Sequence, residues 1–199
     1  MSILSYLPGA VIVRLPLKVA SPLLGESFEI PLAPEDLAGE VSIKRKFWLC
    51  PPGDWDLAAS DIREKSTFAV MRAAIAGPDS AEWRTQQMLL MAKDRPVRRT
   101  KSAFFLDSEE SIERYLIYCR ALATAVEKGA LQDADNRVRL GLGRDGQLYK
   151  TGDGRHRISA ATLLGKPVSA QIRHLHPQLL RDRARLRAVL RRWGIGGAV

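Results

Sequence analysis

One stretch concentrates the residue types that can hold an anion. TGDGRHRISAATLLGKPVSAQIRH, residues 151 to 174, brackets Asp153 with Gly152 and Gly154, follows with Arg155, His156 and Arg157, and then turns apolar. A strand ending near Thr151 and a helix starting near Arg155 would aim the first N–H groups of that helix, and the positive end of its dipole, outward. The two glycines let a ligand approach the backbone, and arginine forks suit phosphate oxygens. Asp153 can cap the helix, orient an arginine or stand beside a metal. His156 can contact phosphate, move a proton or buttress the turn. A plain tight turn with solvated arginines has the same composition, so the context must decide.

The elements around the turn follow from periodicity. DSEESIERYLIYCRALATAVEKG carries Ile112, Tyr115, Leu116, Cys119, Leu122, Ala123 and Val126 at helical spacing. Asp107 or Ser108 is placed to cap it and Gly129 to end it. RVRLGLG then alternates, Arg144-Asp145-Gly146 is turn chemistry, and QLYKTG returns, which predicts a β-hairpin. ISAATLLG is a short helix ended by Gly165, and VSAQIR a strand with Val168, Ala170 and Ile172 on one face. A strand–helix–strand unit with so short a helix predicts a right-handed crossover between parallel strands, so that both end at one sheet edge, where α/β proteins bind ligands. His174 would then emerge beside residues 153–157. His174, His176 and Asp153 are too few to define a metal-ligand set, so no protein-held metal is expected.

Upstream, seven prolines among the first 54 residues predict short strands and loops rather than long helix. SIKRKFWLC reads as a strand whose Phe47 and Trp48 are flanked by bases. Helices are expected over Asp61 to Ala76, with Ile62, Phe68, Met71 and Ile75, and from about Ser80, with Trp83, Met88 and Leu89. DRPVRRTKS is a basic loop. At the other end QLLRDRARLRAVLRRW reads as one helix, striped by Leu179, Leu186, Leu190 and Trp193 and ringed by six arginines.

Composition sets the bounds. The 199 residues are 46% hydrophobic and 27% charged with a net +9, the balance of a soluble globular chain. No apolar run is long enough for a membrane span. Cys50 and Cys119 lack metal-ligand spacing and read as free thiols of a reducing, cytoplasmic compartment. From Arg137 onward there are fourteen bases and three acids, so all the excess positive charge lies in the C-terminal third. Such a field attracts phosphate in nucleotide, nucleic acid or acidic membrane.

The series SIERYLIYCRALATAVEKG, RVRLGLGRDGQLYK and DGRHRISAATLLGKPVSAQI resembles the ParB/sulfiredoxin superfamily. Its members share a helix, a strand pair, a G-x-x-R or D-G-x-H-R turn opening a helix, and a following strand. The resemblance covers about residues 108 to 175. More distantly, GDWD, EWRT, GLGRDG and DGRHR together resemble ParB-like proteins of prokaryotes. It implies an α/β or α+β fold with a small mixed sheet, divided as an N-terminal extension (1–107), a core (108–175) and a C-terminal basic helix (176–199). It also implies a phosphate site, since the superfamily includes CTP-binding partition proteins, an ATP-using sulfinic acid reductase, free-serine kinases with a D-G-H-H-R turn, and nucleases. By match, Gly154, His156 and Arg157 inherit phosphate contacts and Asp153 the kinase-type aspartate, with Gly152, Arg155 and His174 beside them. Arg155 departs from the reductase, which needs a cysteine there, so sulfinic reduction is not expected. No kinase-type glutamate can be matched, because Glu109, Glu110 and Glu113 read as helix-start residues. The function expected is phosphoryl transfer or nucleotide hydrolysis. It would use ATP, ADP or CTP with Mg²⁺ and an unidentified small-molecule acceptor, with Asp153 and His156 as catalytic candidates. The rival is a nucleic-acid-binding protein or nuclease using the basic third, and a third reading is a non-catalytic scaffold.

Overall fold

The computed structural model describes residues 28–43, 49–92, 106–131 and 137–195. The opening segment, Phe47 with Trp48, and the basic loop DRPVRRTKS lie outside them. Contacts divide the chain into two compact units, one drawn from Met1–Asp61, Leu131–Arg155 and Pro167–Val199, the other from Ile62–Ala130 and His156–Lys166. This division cuts across the linear partition at 107/108 and 175/176, because segments far apart in sequence share one sheet.

The first unit is built on a mixed five-stranded sheet, the fold class expected. Its strands are β1 (Glu29–Leu32), β2 (Leu37–Glu40), β3 (Val138–Leu142), β4 (Leu148–Lys150) and β5 (Val168–Leu175), in the order β1-β5-β3-β4-β2. The hairpin β3–β4 forms as its alternation requires, with Val138, Leu140 and Leu142 fully buried. Its turn uses Gly146 at φ 83°, and the Asp145 carboxylate accepts from Gln147 N–H and Tyr149 O–H. Both outer strands come from the proline-rich segment, β1 pairing antiparallel with β5 and β2 parallel with β4.

The crossover expectation fails here. β3 lies between β4 and β5, parallel to β5 and antiparallel to β4, so β4 and β5 run in opposite directions. The turn after β4 therefore sits at the end where β5 begins. Gly154 lies against Val138, at the start of β3, whereas His174 pairs in register with Gly141 towards its other end. His174 is buried on the inward face of β5 and does not join the turn.

The second unit contains α1 (Ser66–Ala76), α2 (Ala81–Met91), α3 (Glu109–Glu127) and all of α4 (Arg155–Leu164) after Arg155. Ser108 and Ser111 cap α3 reciprocally, and Ile112, Tyr115, Leu116, Cys119, Ala123 and Val126 bury its predicted face. Helix α1 begins later than expected, after a short 3₁₀ turn at Ile62–Glu64. Ser80 caps α2, whose Trp83 is buried while Met88 and Leu89 are exposed. Both cysteines are free and buried, and burial pushes each thiol up to about 12, which leaves them inert at neutral pH.

The C-terminal segment, back in the first unit, is two helices rather than one: α5 (Pro177–Arg181) and α6 (Arg183–Arg192). Asp182 leaves helical geometry and caps α6 by accepting from Arg185 N–H at 2.9 Å. The apolar stripe survives the break, with Leu179, Leu186 and Leu190 buried and Trp193 donating from its indole to Gly146 O at 3.1 Å. No helix of the described residues is long and apolar enough to cross a membrane.

Gly154 and Gly152 have structural reasons of their own. Gly154 takes φ 98°, and a Cβ there would stand 3.1 Å from the Val138 Cα, while at Gly152 it would meet the Arg139 stem at 3.2 Å. Gly154→Ala is expected to cost about 3 kcal/mol, positive φ and backbone crowding together. Gly194→Ala, at φ 75° with nothing within 4 Å of the added atom, should cost only about 1 kcal/mol. Urea midpoints for the two variants check this, and equal losses would remove the close-approach argument.

Candidate phosphate site

Residues 150 to 155 gather charge at one end of the sheet of the first unit. β4 ends at Lys150, whose side chain is 1% exposed, and the parallel neighbour β2 ends in register at Glu40. The Lys150 ammonium donates to Glu40 Oε1 at 3.1 Å and to the carbonyl of Gly152 at 2.5 Å, which fastens the turn from beneath. Arg155, the first residue of α4, grips the same carboxylate side-on through Nε at 2.9–3.0 Å and through Nη2. Glu40 is itself fixed by a two-way backbone bridge to Ser60. Behind it, Arg139 pairs with Asp153 at 2.9 Å, so of its three expected roles Asp153 orients an arginine.

One carboxylate thus answers two cations, and the titration of each group reflects it. Burial alone would raise the Glu40 carboxyl, but hydrogen bonds and charge from Arg155 and Lys150 outweigh it and hold the group below its ordinary value. For Lys150 burial wins in the other direction: its ammonium is weakened despite Glu40, because Arg155 shares that carboxylate and adds like charge. Arg173, half-buried on β5, is weakened by burial and by Arg139 as a like charge. Glu40, Lys150 and Arg155 together carry a net +1. Arg155, Arg139 and Asp153 are the members open to solvent, with side chains 46%, 43% and 40% exposed, and Asp153 is paired with Arg139. A guanidinium already held side-on to one oxyanion, at the start of a helix, is chemically equipped for phosphate.

His156, described with the second unit, bonds through Nε2 to the Tyr115 hydroxyl at 2.7 Å, ring edge to ring face. Burial, with Cys119 as the next cause, pushes the Tyr115 phenol far up, so it keeps its proton. Any proton transfer by His156 would have to use Nδ1. Arg157 is half-buried in the same helix turn.

A second cluster sits at the opposite end of the sheet. Asp56 accepts from the backbone N–H, Nε and Nη2 of Arg144 at 2.8–3.1 Å, and Asp54 also accepts from Nη2. His176 is buried beside them. Its Nδ1 accepts from Gln178 N–H, capping α5, so Nε2 carries the proton and donates to Gly53 O at 3.0 Å. That commitment withdraws His176 from metal binding. Burial raises the Asp56 carboxyl, yet the bonds from Arg144 prevail and hold it low. GDWD and GRDG, noticed in the sequence only as similar motifs, are thus bound to each other.

Among the described residues no three His, Cys, Asp or Glu side chains could hold a metal together. Glu40 and Asp153 are engaged by cations, so the turn does not fit a protein-held Mg²⁺. Comparison with known proteins gives no match: no family model fits the chain, and no curated protein or solved structure matches it.

Sequence reasoning found Asp153, Gly154 and Arg155 but not Glu40, Lys150 or Arg139. Glu40 lies 110 and 115 residues from its partners, and a buried lysine in QLYKTG has the same letters as an exposed one.

Glu40→Gln keeps the shape but leaves the buried ammonium without its counter-ion, at a cost of about 3 kcal/mol. Because the folded carboxyl lies below its ordinary 4.5, Glu40 contributes stability above that pH and loses it as pH falls through the folded value. Urea denaturation from pH 7 to 3 should show a shallower acid loss for Glu40→Gln than for wild type. Parallel profiles would mean that Glu40 is not held low.

Proposed function

We propose that this chain is a nucleotide-binding protein of the ParB/sulfiredoxin-like kind, holding phosphate at the turn before α4 and transferring or hydrolysing a phosphoryl group. The observation that carries it is the positive charge left at the turn when Lys150 and Arg155 share the single carboxylate of Glu40. Phosphoryl transfer depends chiefly on positioning and on stabilising charge spread over phosphate oxygens, which arginine forks and a helix N-terminus provide. Arg155 is assigned the phosphate contact, Lys150 the support of the turn carbonyl, and Asp153 the orientation of Arg139. Magnesium, if used, would arrive coordinated by the nucleotide phosphates rather than by a protein ligand set. The glycines contribute by shaping the turn.

Thermal shift and calorimetry with ATP, ADP and CTP, each with and without Mg²⁺, test this reading. At least one nucleotide should stabilise the wild type. Arg155→Ala should then bind it at least about tenfold more weakly, a loss of about 1.4 kcal/mol. The half-exposed position of that side chain lets the fold survive the change. No stabilisation by any nucleotide, or equal affinity in Arg155→Ala, would remove the turn from the function.

A further inference from the structure

The arginines of α5 and α6 are used differently from those at the turn. Arg181, Arg183, Arg185, Arg187, Arg191 and Arg192 are all exposed, and among the described residues none of them forms an ion pair. The one acid among them, Asp182, is occupied in capping the helix. At about 100° per residue, Arg183, Arg187 and Arg191 form one row and Arg185 and Arg192 a second, roughly 150° around the helix. Exposed Ala184 and Ala188 lie between the rows, so a smooth strip is bordered by guanidinium groups on both sides. In the first row, Arg187 Nε donates to Arg183 O and Arg191 Nε to Arg187 O, which lays those side chains along the helix. Like charges stacked four apart repel and disfavour the isolated helix. An external polyanion would relieve that repulsion.

We infer that α6 is a docking surface for the phosphate backbone of a nucleic acid, bound without reading base sequence. Three observations favour this partner over an acidic membrane or an acidic protein. The apolar side of α6 is spent on the body of the unit, through Leu186, Leu190, Trp193 to Gly146 O and Val189 against Gly146, so it has no face left to insert into lipid. All the bases from Gln178 to Trp193 are arginine, whose planar fork matches phosphate in pairs, whereas a membrane potential is served equally by lysine. The two rows flanking a strip of small residues suit a continuous charged strand better than scattered carboxylates. The inference is independent of the nucleotide reading, because none of these arginines belongs to the turn.

Fluorescence anisotropy of the full chain with single-stranded and duplex oligonucleotides over a potassium chloride series tests it. Sedimentation with phosphatidylserine-containing vesicles and titration with polyglutamate run in parallel. Affinity should fall linearly on logarithmic axes with salt. The R183Q/R187Q/R191Q variant should bind at least about tenfold more weakly, its salt slope flattened by roughly one unit per lost phosphate contact. Lysine at the same three positions should keep most of the slope while losing affinity, and it carries the comparison should the glutamine variant fail to fold. Neither variant should change nucleotide affinity. Absence of oligonucleotide binding at low salt, an unchanged slope in the glutamine variant, or equal capture by vesicles or polyglutamate would each overturn the inference.

Discussion

A single buried carboxylate shared by two cations is the constraint on which the rest of the first unit depends. Glu40 closes β2 onto β4 through Lys150, and through Arg155 it fixes the start of α4. The ammonium it neutralises supports the Gly152 carbonyl, so the turn, the sheet edge and the helix start are set by one group. Taking that group away would leave an ammonium buried without compensation, which proteins tolerate poorly. The opposite end of the sheet inverts the device: there one guanidinium, Arg144, is held by two carboxylates, Asp54 and Asp56. Glu40 and Asp56 therefore fasten the β3–β4 hairpin at its two ends, with Trp55 packed edge-on against Tyr149 and tilted against the His176 ring.

The excess positive charge of the C-terminal third accordingly divides in two. Lys150, Arg139, Arg144 and Arg155 are spent on carboxylates and shape the protein, with a small surplus at the turn. The arginines of α5 and α6 are turned outward without internal carboxylate partners. A net-charge count cannot distinguish these uses, because it weighs a buried paired guanidinium and a solvated one alike.

What could be read from the sequence was whatever repeats locally. The buried face of α3, the hairpin, the inward residues of β5 and the glycine ends of helices all follow from periods of 3.6 or two and from turn residues. Strand direction did not, since β3 inserts between β4 and β5 and nothing in the letters around 151–174 marks that insertion. The same error carried His174 to the wrong end of the sheet. The break at Asp182 was hidden because the leucine stripe continues through it, while the local competition that makes aspartate a cap was overlooked. Asp153 and Arg155 were legible because flexible and charged residues crowd together there. Their counterpart Glu40 was not, because long-range pairing leaves no periodic trace.

The order of the strands also bears on how the chain is made. Both outer strands are synthesised first, yet the residues that complete Glu40 come 110 and 115 positions later. At about 5–20 residues per second, a ribosome needs roughly 5–20 s to supply them. For that interval β1 and β2 exist as strand-forming segments with no neighbours to pair with, and open strand edges invite association with other chains. Pro31, within the short outer strand β1, lacks the backbone donor that an intruding strand would pair with, whereas β2 contains no proline. Until the carboxyl-terminal half arrives, one of the two early strands is thus blunted by its own sequence and the other is not.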